Sequence, residues 1–68
     1  MKTIEVRNDI NEYIQIGTSY GKLQVEMGWY HEEEDVYCPI DDYALFESDQ
    51  IDLIIKALEK VKEELKND

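Results

Sequence analysis

Apolar residues recur at every second position in the middle of this chain and at every third or fourth position near its C-terminus. The first pattern comprises Leu23, Val25, Met27 and Trp29. The second pattern, which we name the helix stripe, comprises Ile51, Ile54, Ile55, Leu58, Val61 and Leu65. A period of two is that of a half-buried strand, whereas spacings of three and four align side chains on one face of a helix. The chain is therefore expected to combine a β-sheet with a C-terminal helix.

Three further segments show strand or turn patterns. Residues 3–7 alternate in polarity and predict a short first strand, and residues 13–18 alternate again. The turn at residues 19–22 suits a β-hairpin, because Gly21 can adopt the positive φ that tight hairpins require. Residues 36–40 predict an edge strand, since Pro39 has no N–H to donate to a neighbouring strand. Residues 41–47 fit a strand or a helical turn equally well.

The helix has favourable residues at its N-terminal end. Ser48 is a good N-cap, and Asp49 and Asp52 complement the positive end of the helix dipole. From Asp49 to Lys66 the helix would be roughly 27 Å long. We predict an α+β fold, with an antiparallel β-sheet of three to four strands and one long C-terminal helix packed on one face. The expected core combines the helix stripe with Ile14, Val25, Met27, Trp29 and Phe46.

The length of 68 residues predicts a single small acidic domain, residues 1–68. A domain of this size buries only about 60% of the surface that its unfolded chain exposes. The lone Cys38 cannot form an internal disulfide, and no Cys and His set provides a structural zinc site. Small domains without such staples often gain stability by pairing with another chain.

Charge is distributed very unevenly along the chain. Between Lys22 and Lys56, the 33 residues Leu23–Ile55 contain ten Asp or Glu and no Lys or Arg, and we name them the acidic segment. The remaining residues contain seven acids and seven bases, so the whole net charge of −10 belongs to the acidic segment. Such a field repels phosphate and anionic membranes and attracts basic surfaces. We therefore expect a basic protein partner, with no direct nucleic-acid or membrane binding.

No catalytic or metal-binding motif is complete in this sequence. The run His31–Asp35 is similar to the zinc-protease motif H-E-x-x-H, but its second ligand position is Asp35 and the chain has no other histidine. The acids near Asp41 and Asp42 lack the spacing of a calcium-binding loop. Cys38 and His31 are separated by carboxylates that disfavour a thiolate. We expect no enzyme activity, no catalytic residues, no cofactor and no metal.

Tyrosines within the acidic segment are the best candidates for contact with a partner. Tyr30 and Tyr37 alternate away from the apolar positions, and a rigid ring with a hydroxyl group is a common anchor in protein interfaces. The candidate partner-binding residues are therefore these tyrosines and the acids around them: Glu26, Tyr30, Glu32, Glu33, Glu34, Asp35, Tyr37, Asp41 and Asp42.

The leading hypothesis is a masking protein that covers the basic, nucleic-acid-binding surface of a partner. A groove built for DNA, which carries one charge per ~1.7 Å of axis, will accept carboxylates at a similar spacing. In size and charge the chain resembles the small DNA-mimic inhibitors of phages and mobile elements, including anti-restriction and anti-CRISPR proteins. Two alternatives remain open: an immunity protein or antitoxin against a basic nuclease, and a structural or accessory homodimer that pairs through an edge strand and uses its acids for solubility.

The expected location is the cytoplasm. No apolar run approaches the ~18 residues of a membrane span, and the start at Met1-Lys2-Thr3 lacks the hydrophobic stretch of a signal peptide. A single free cysteine agrees with a reducing compartment.

Salt is expected to stabilise the fold. The uncompensated carboxylates repel one another, and raising the ionic strength from 0.1 M to 1 M shortens the Debye length from ~10 Å to ~3 Å. Thermal melting in NaCl should therefore give a higher Tm than melting at low salt. Sucrose controls for the exclusion of cosolutes from the protein surface. A Tm that stays constant or falls in NaCl would contradict the prediction.

Overall fold

The computed structural model describes residues 3–67 and contains one antiparallel sheet and one helix. Its elements are β1 (Ile4–Arg7), β2 (Glu12–Ser19), β3 (Lys22–His31), β4 (Val36–Pro39), β5 (Ala44–Phe46) and α1 (Ser48–Lys66). The predicted α+β class, with an antiparallel sheet followed by a C-terminal helix, is confirmed. Met1 and Lys2, on which the expectation about a signal peptide partly rests, and Asp68 lie outside the described residues.

Strand β3 is the centre of the sheet. It pairs with β2 along one side, while β4 and β5 share its other side. Strand β4 pairs with residues 28–31 of β3, and β5 pairs with residues 23–25. The segment 41–47, which fitted a strand or a helical turn, therefore contains a strand. Pro39 ends the edge strand β4, as predicted from its missing N–H.

The turn between β2 and β3 is a two-residue hairpin loop. Ser19 pairs with Lys22, and both central residues are left-handed, with φ of 53° at Tyr20 and 70° at Gly21. Two successive positive φ values define the type I′ turn, whose twist matches that of the flanking strands. Glycine adopts this conformation without strain, whereas tyrosine does so at a cost. The Tyr20 ring is 85% exposed, so it gains little packing in return.

The register of the strands separates two kinds of side chain. Residues directly opposite each other in a sheet share a face. The first face, which we name the apolar sheet face, carries Ile4, Val6, Ile14, Ile16, Val25 and Met27. The opposite face, which we name the tyrosine face, carries Glu5, Arg7, Tyr13, Gln15, Glu26, Tyr30 and Tyr37.

Burial is found on the tyrosine face and not on the apolar sheet face. Within residues 3–67, Tyr13 is the only buried apolar residue, at 2% exposure. Met27 and Val6 are each more than half exposed, and Trp29 is 47% exposed. The core expected around Ile14, Val25, Met27, Trp29 and Phe46 is therefore not closed within a single chain.

Helix α1 extends away from the sheet after its first two turns. Ile51 and Ile54 are half-buried near β3, whereas the rest of the helix stripe, Ile55, Leu58, Val61 and Leu65, is exposed. The radius of gyration is 13.9 Å, against about 11 Å for a compact chain of this length. The length of the helix was predicted correctly, but its packing along the sheet is confined to the beginning of the stripe.

The connection before the helix explains this geometry. Glu47 is the one residue between the end of β5 at Phe46 and the start of α1 at Ser48, so the chain changes direction at this single position. The Glu47 N–H donates to the Gln50 side-chain oxygen at 3.0 Å, and its carboxylate lies 3.1 Å from the Lys22 ammonium group. The N-cap is thus Glu47, and the prediction of Ser48 was wrong by one residue.

Replacing Gly28 by alanine should destabilise the fold by roughly 2 kcal/mol or more, because overpacking forces the surroundings to move. A Cβ atom there would lie 2.3 Å from the Cys38 carbonyl oxygen and 2.6 Å from Pro39 Cα. Both are backbone atoms of β4, so the strand itself must shift. Urea unfolding would measure the loss.

Gly21→Ala is the matched control for this substitution. A Cβ at Gly21 meets nothing within 4 Å, so only the positive φ is penalised, at about 1 kcal/mol. A loss for Gly28→Ala that is no larger than the loss for Gly21→Ala would mean that β4 adjusts freely.

Candidate functional site

Most of the acidic segment's carboxylates lie along the side of the sheet formed by β4 and β5. The turn between β3 and β4 carries four of them in succession, two more lie between β4 and β5, and another follows β5. All seven residues are exposed. We name this row the acidic edge: Glu32, Glu33, Glu34, Asp35, Asp41, Asp42 and Glu47.

The pairing of β3 gives the acidic edge its length. The edge runs from the pair His31 and Val36 to the pair Leu23 and Phe46. These pairs are eight residues apart on β3, which corresponds to about 27 Å. The seven carboxylates are not evenly spaced over this length, because four lie in the turn beyond His31, two lie between β4 and β5, and one follows β5. The acidic edge therefore presents three groups of carboxylates along one side of the sheet, with an average of one per about 4 Å against one charge per 3.4 Å of a single DNA strand.

Few of these carboxylates are neutralised within the chain. Among residues 3–67, ion pairs form between Arg7 and Glu5 and between Lys22 and Glu47. Of the acidic edge, only Glu47 takes part in one of these pairs. The field of the other six carboxylates is thus uncompensated by bases of the described chain, and it is available to attract a basic partner.

Next to the acidic edge, three tyrosines and an arginine pack on the tyrosine face. The ring of Tyr37 meets Tyr13 edge to face, with centroids 5.1 Å apart, and lies 4.8 Å from Tyr30. The Arg7 guanidinium is 4.0 Å from the centre of the Tyr30 ring, within the range of a cation–π interaction. We name these four residues the tyrosine cluster. It buries Tyr13 and leaves Tyr30 and Tyr37 partly exposed.

Each tyrosine hydroxyl of the cluster donates a hydrogen bond to a carboxylate. The pairs are Tyr13 to Glu26 at 2.8 Å, Tyr30 to Asp35 at 2.7 Å and Tyr37 to Glu5 at 2.8 Å. Arg7 also donates to Glu5, at 2.9 Å from Nε. The bond from Tyr30 to Asp35 joins the tyrosine cluster to the turn that begins the acidic edge.

These hydrogen bonds change the acidity of the groups involved. Burial and then the bond to Glu26 raise the pKa of Tyr13 to about 12. The bond to Glu5 raises the pKa of Tyr37, and the same bond is the largest cause of the lowered pKa of Glu5. In each case the bond favours a neutral phenol beside a charged carboxylate.

The candidate partner-binding residues thus belong to two adjoining places. Glu32, Glu33, Glu34, Asp41 and Asp42 lie on the acidic edge, Asp35 joins the two places, and Glu26, Tyr30 and Tyr37 lie on the tyrosine face. Sequence reasoning missed the contributions of Glu5, Arg7 and Tyr13. Alternation places Glu5 and Arg7 on one side of β1, whereas Tyr13 lies on β2, and the strand pairing that brings all three to Tyr37 is a long-range property.

The described residues form neither a metal site nor a membrane-spanning helix. Within residues 3–67, no three side chains of His, Cys, Asp or Glu are grouped in a way that could hold a metal ion. No helix in this part of the chain combines the length and apolar character needed to cross a membrane. Comparisons with protein-family models, curated proteins and solved structures found no match to this chain. Inferences about function therefore rest on the surface itself.

Stability should decline as the pH rises from about 10 to about 12. A group whose pKa is higher in the folded state keeps its proton there while the unfolded chain loses it. The stabilisation from Tyr13 is therefore complete below its unfolded pKa of 10.0 and is lost as the pH approaches its folded pKa of about 12. Urea unfolding at about pH 9 and about pH 11 would measure this decline.

The variant Tyr13→Phe should weaken this alkaline decline, because phenylalanine has no proton to lose. Tyr20→Phe is the control, since its ring is 85% exposed on the hairpin turn. An alkaline decline that is the same in both variants would show that Tyr13 is not its source.

Proposed function

We propose that this chain is a small acidic masking protein. It binds a basic protein through the acidic edge and covers a surface that the partner uses for nucleic acid. The observation that carries the proposal is the acidic edge itself, where seven exposed carboxylates lie along one side of the sheet and six of them have no ion-pair partner among residues 3–67. Lysines and arginines that neutralise the phosphates of a nucleic acid would find carboxylates there instead.

The short turn and the strand edge that carry these carboxylates support this function, because they restrict the motion of the backbone. The β3–β4 turn comprises the four residues Glu32–Asp35, and its last residue accepts the hydroxyl hydrogen bond of Tyr30 at 2.7 Å. Carboxylates held on a short turn and a strand edge lose less conformational freedom on binding than those of a flexible acidic tail. Such preorganisation improves affinity by lowering the entropic cost of association.

The exposed part of the tyrosine cluster supplies apolar contact beside the charges. Tyr30 and Tyr37 already satisfy their hydroxyl groups inside the chain, so their contribution to binding is the surface of the rings. Arg7 over the Tyr30 ring is an internal example of the contact that an arginine of the partner would make. Inhibitors of nuclease-based defence from phages and mobile elements are one class in which we expect this surface; immunity proteins and antitoxins against nucleases are another.

Removing three charges from the acidic edge should weaken binding strongly. The variant Glu32→Gln, Glu33→Gln, Glu34→Gln keeps the size of each side chain and spares Asp35, which bonds to Tyr30. Three exposed charge pairs at about 0.5 kcal/mol each correspond to roughly a tenfold loss of affinity. Basic proteins would be captured on the immobilised wild-type chain from a nucleic-acid-depleted lysate, and one partner would then be titrated against each variant.

The matched control is Glu59→Gln, Glu63→Gln, Glu64→Gln on α1, which removes the same number of charges from the same residue type. This variant should bind nearly as well as the wild type, and duplex DNA should displace the partner from both. Equal losses for the two triple variants would mean that only total charge matters. A partner that duplex DNA does not displace would show that no nucleic-acid-binding surface is covered.

A further inference from the structure

Two apolar surfaces of the chain are open to solvent. One is the apolar sheet face, where Ile4, Val6 and Met27 are each more than half exposed. The other is the part of the helix stripe beyond Ile54, where Leu58 is 64% exposed. The helix leaves the sheet after Ile54, so neither surface covers the other within one chain.

The solvent-accessible surface shows how much area is involved. The chain exposes 5913 Å², whereas a folded monomer of 8.1 kDa is expected to expose about 4,500 Å². The excess is about 1,400 Å² per chain. If two copies bury this excess on each other, the interface totals about 2,800 Å², which is in the range of obligate homodimers.

The two surfaces are complementary in shape. The open part of the helix stripe, from Ile55 to Leu65, is about 15 Å long, and three strand spacings of about 4.8 Å make the sheet, four strands across, at least 14 Å wide. Two open grooves of about 240 and 300 Å³ cross the apolar sheet face on either side of Met27 and Ile40. Small-molecule sites bury most of the ligand surface, and these grooves are too open for that.

The charges around the two surfaces are also complementary. Glu12 lines the first groove, and Asp41 and Asp42 line the second. Lys62 and Lys66 follow Leu58 at successive steps of four residues, so they lie on the same side of α1 as the helix stripe. A second copy of this chain therefore offers both the apolar stripe and the bases that the acidic rims of the grooves require.

We propose that a second copy of this chain covers these surfaces, with the helix of each copy lying on the apolar sheet face of the other. The arrangement is reciprocal, as a two-fold axis demands, and it closes after two copies. It differs from pairing through an edge strand because the strand edges take no part. The proposal goes beyond the masking function and does not depend on it.

Leu53 and Leu58 provide a matched pair of test sites. Both are leucines of α1 with 64% exposure, but they lie about 140° apart around the helix, and only Leu58 belongs to the helix stripe. The wild type should sediment at twice 8.1 kDa. Leu58→Lys should raise the dissociation constant roughly a hundredfold or more, because it buries an unpaired charge, whereas Leu53→Lys should leave the constant nearly unchanged.

A mixing experiment tests the contact of helix with sheet directly. Leu58→Lys and Met27→Glu should each disrupt the dimer when alone. An equimolar mixture can form a dimer of one copy of each variant. In this dimer the helix with Lys at position 58 lies on the sheet with Glu at position 27. The other helix and the other sheet, which form the second contact, carry the wild-type residues at these positions. The mixture should therefore regain the mass of a dimer by sedimentation equilibrium, and also the folded circular-dichroism signal if either single variant unfolds alone.

Three results would overturn the proposal. The first is a wild type that sediments as a folded chain of 8.1 kDa at all concentrations up to the highest soluble one. The second is an equal effect of Leu53→Lys and Leu58→Lys. The third is a mixture that stays as dissociated as its components, which would indicate pairing of helix with helix or another occupant of the sheet face. A dimeric Glu32→Gln, Glu33→Gln, Glu34→Gln variant would support the separation of the dimer surface from the β3–β4 turn of the acidic edge, whereas Asp41 and Asp42 belong to both surfaces.

Discussion

The single residue between β5 and α1 determines much of this structure. Phe46 pairs with Leu23 in the sheet, and Ser48 already belongs to the helix, so Glu47 alone makes the change of direction. Its ion pair with Lys22 and its hydrogen bond from the N–H to Gln50 lie where the helix leaves the beginning of β3. Beyond Ile54 the helix does not return over the sheet, so the sheet keeps an open apolar face and the helix an open apolar stripe.

With the apolar face open, the packing within one chain is centred on the tyrosine cluster. In a chain with 17 acids and 7 bases, most carboxylates cannot find an ion-pair partner. Glu5, Glu26 and Asp35 instead accept hydrogen bonds from tyrosine hydroxyls. A bond from a neutral donor to a charged acceptor stabilises the carboxylate without requiring another base. The tyrosines therefore connect three acids to the sheet, while the acidic edge keeps its charge.

Local patterns in the sequence predicted the local structure well. The alternation from Leu23 to Trp29 and the spacing of the helix stripe predicted β3 and α1, because each pattern is set by the geometry of one element. The three residues of β5 are too few to show a period, so the segment 41–47 could not be assigned. The packing of the helix was misjudged because periodicity identifies an apolar face but not the length of the connection that must bring it to a core.

For the candidate site, too, local sequence properties were predictable and long-range contacts were not. The absence of bases from Leu23 to Ile55 identified the acids directly, since charge is a property of composition. Their alignment along one edge depends on β4 and β5 sharing one side of β3, and the tyrosine cluster depends on the pairing of β1 with β2. Both are contacts between residues distant in sequence, which no local pattern encodes.

The divided edge of the sheet has a consequence for solubility. An uninterrupted outer strand offers unpaired backbone groups to any other chain and so invites strand addition and aggregation. Here that side consists of two short strands separated by Asp41 and Asp42, and Pro39 removes a donor at the end of the first. An incoming strand would meet a broken ladder and a row of repelling carboxylates. The carboxylates of the acidic edge, together with Pro39, therefore disfavour amyloid-like growth on this side of the sheet.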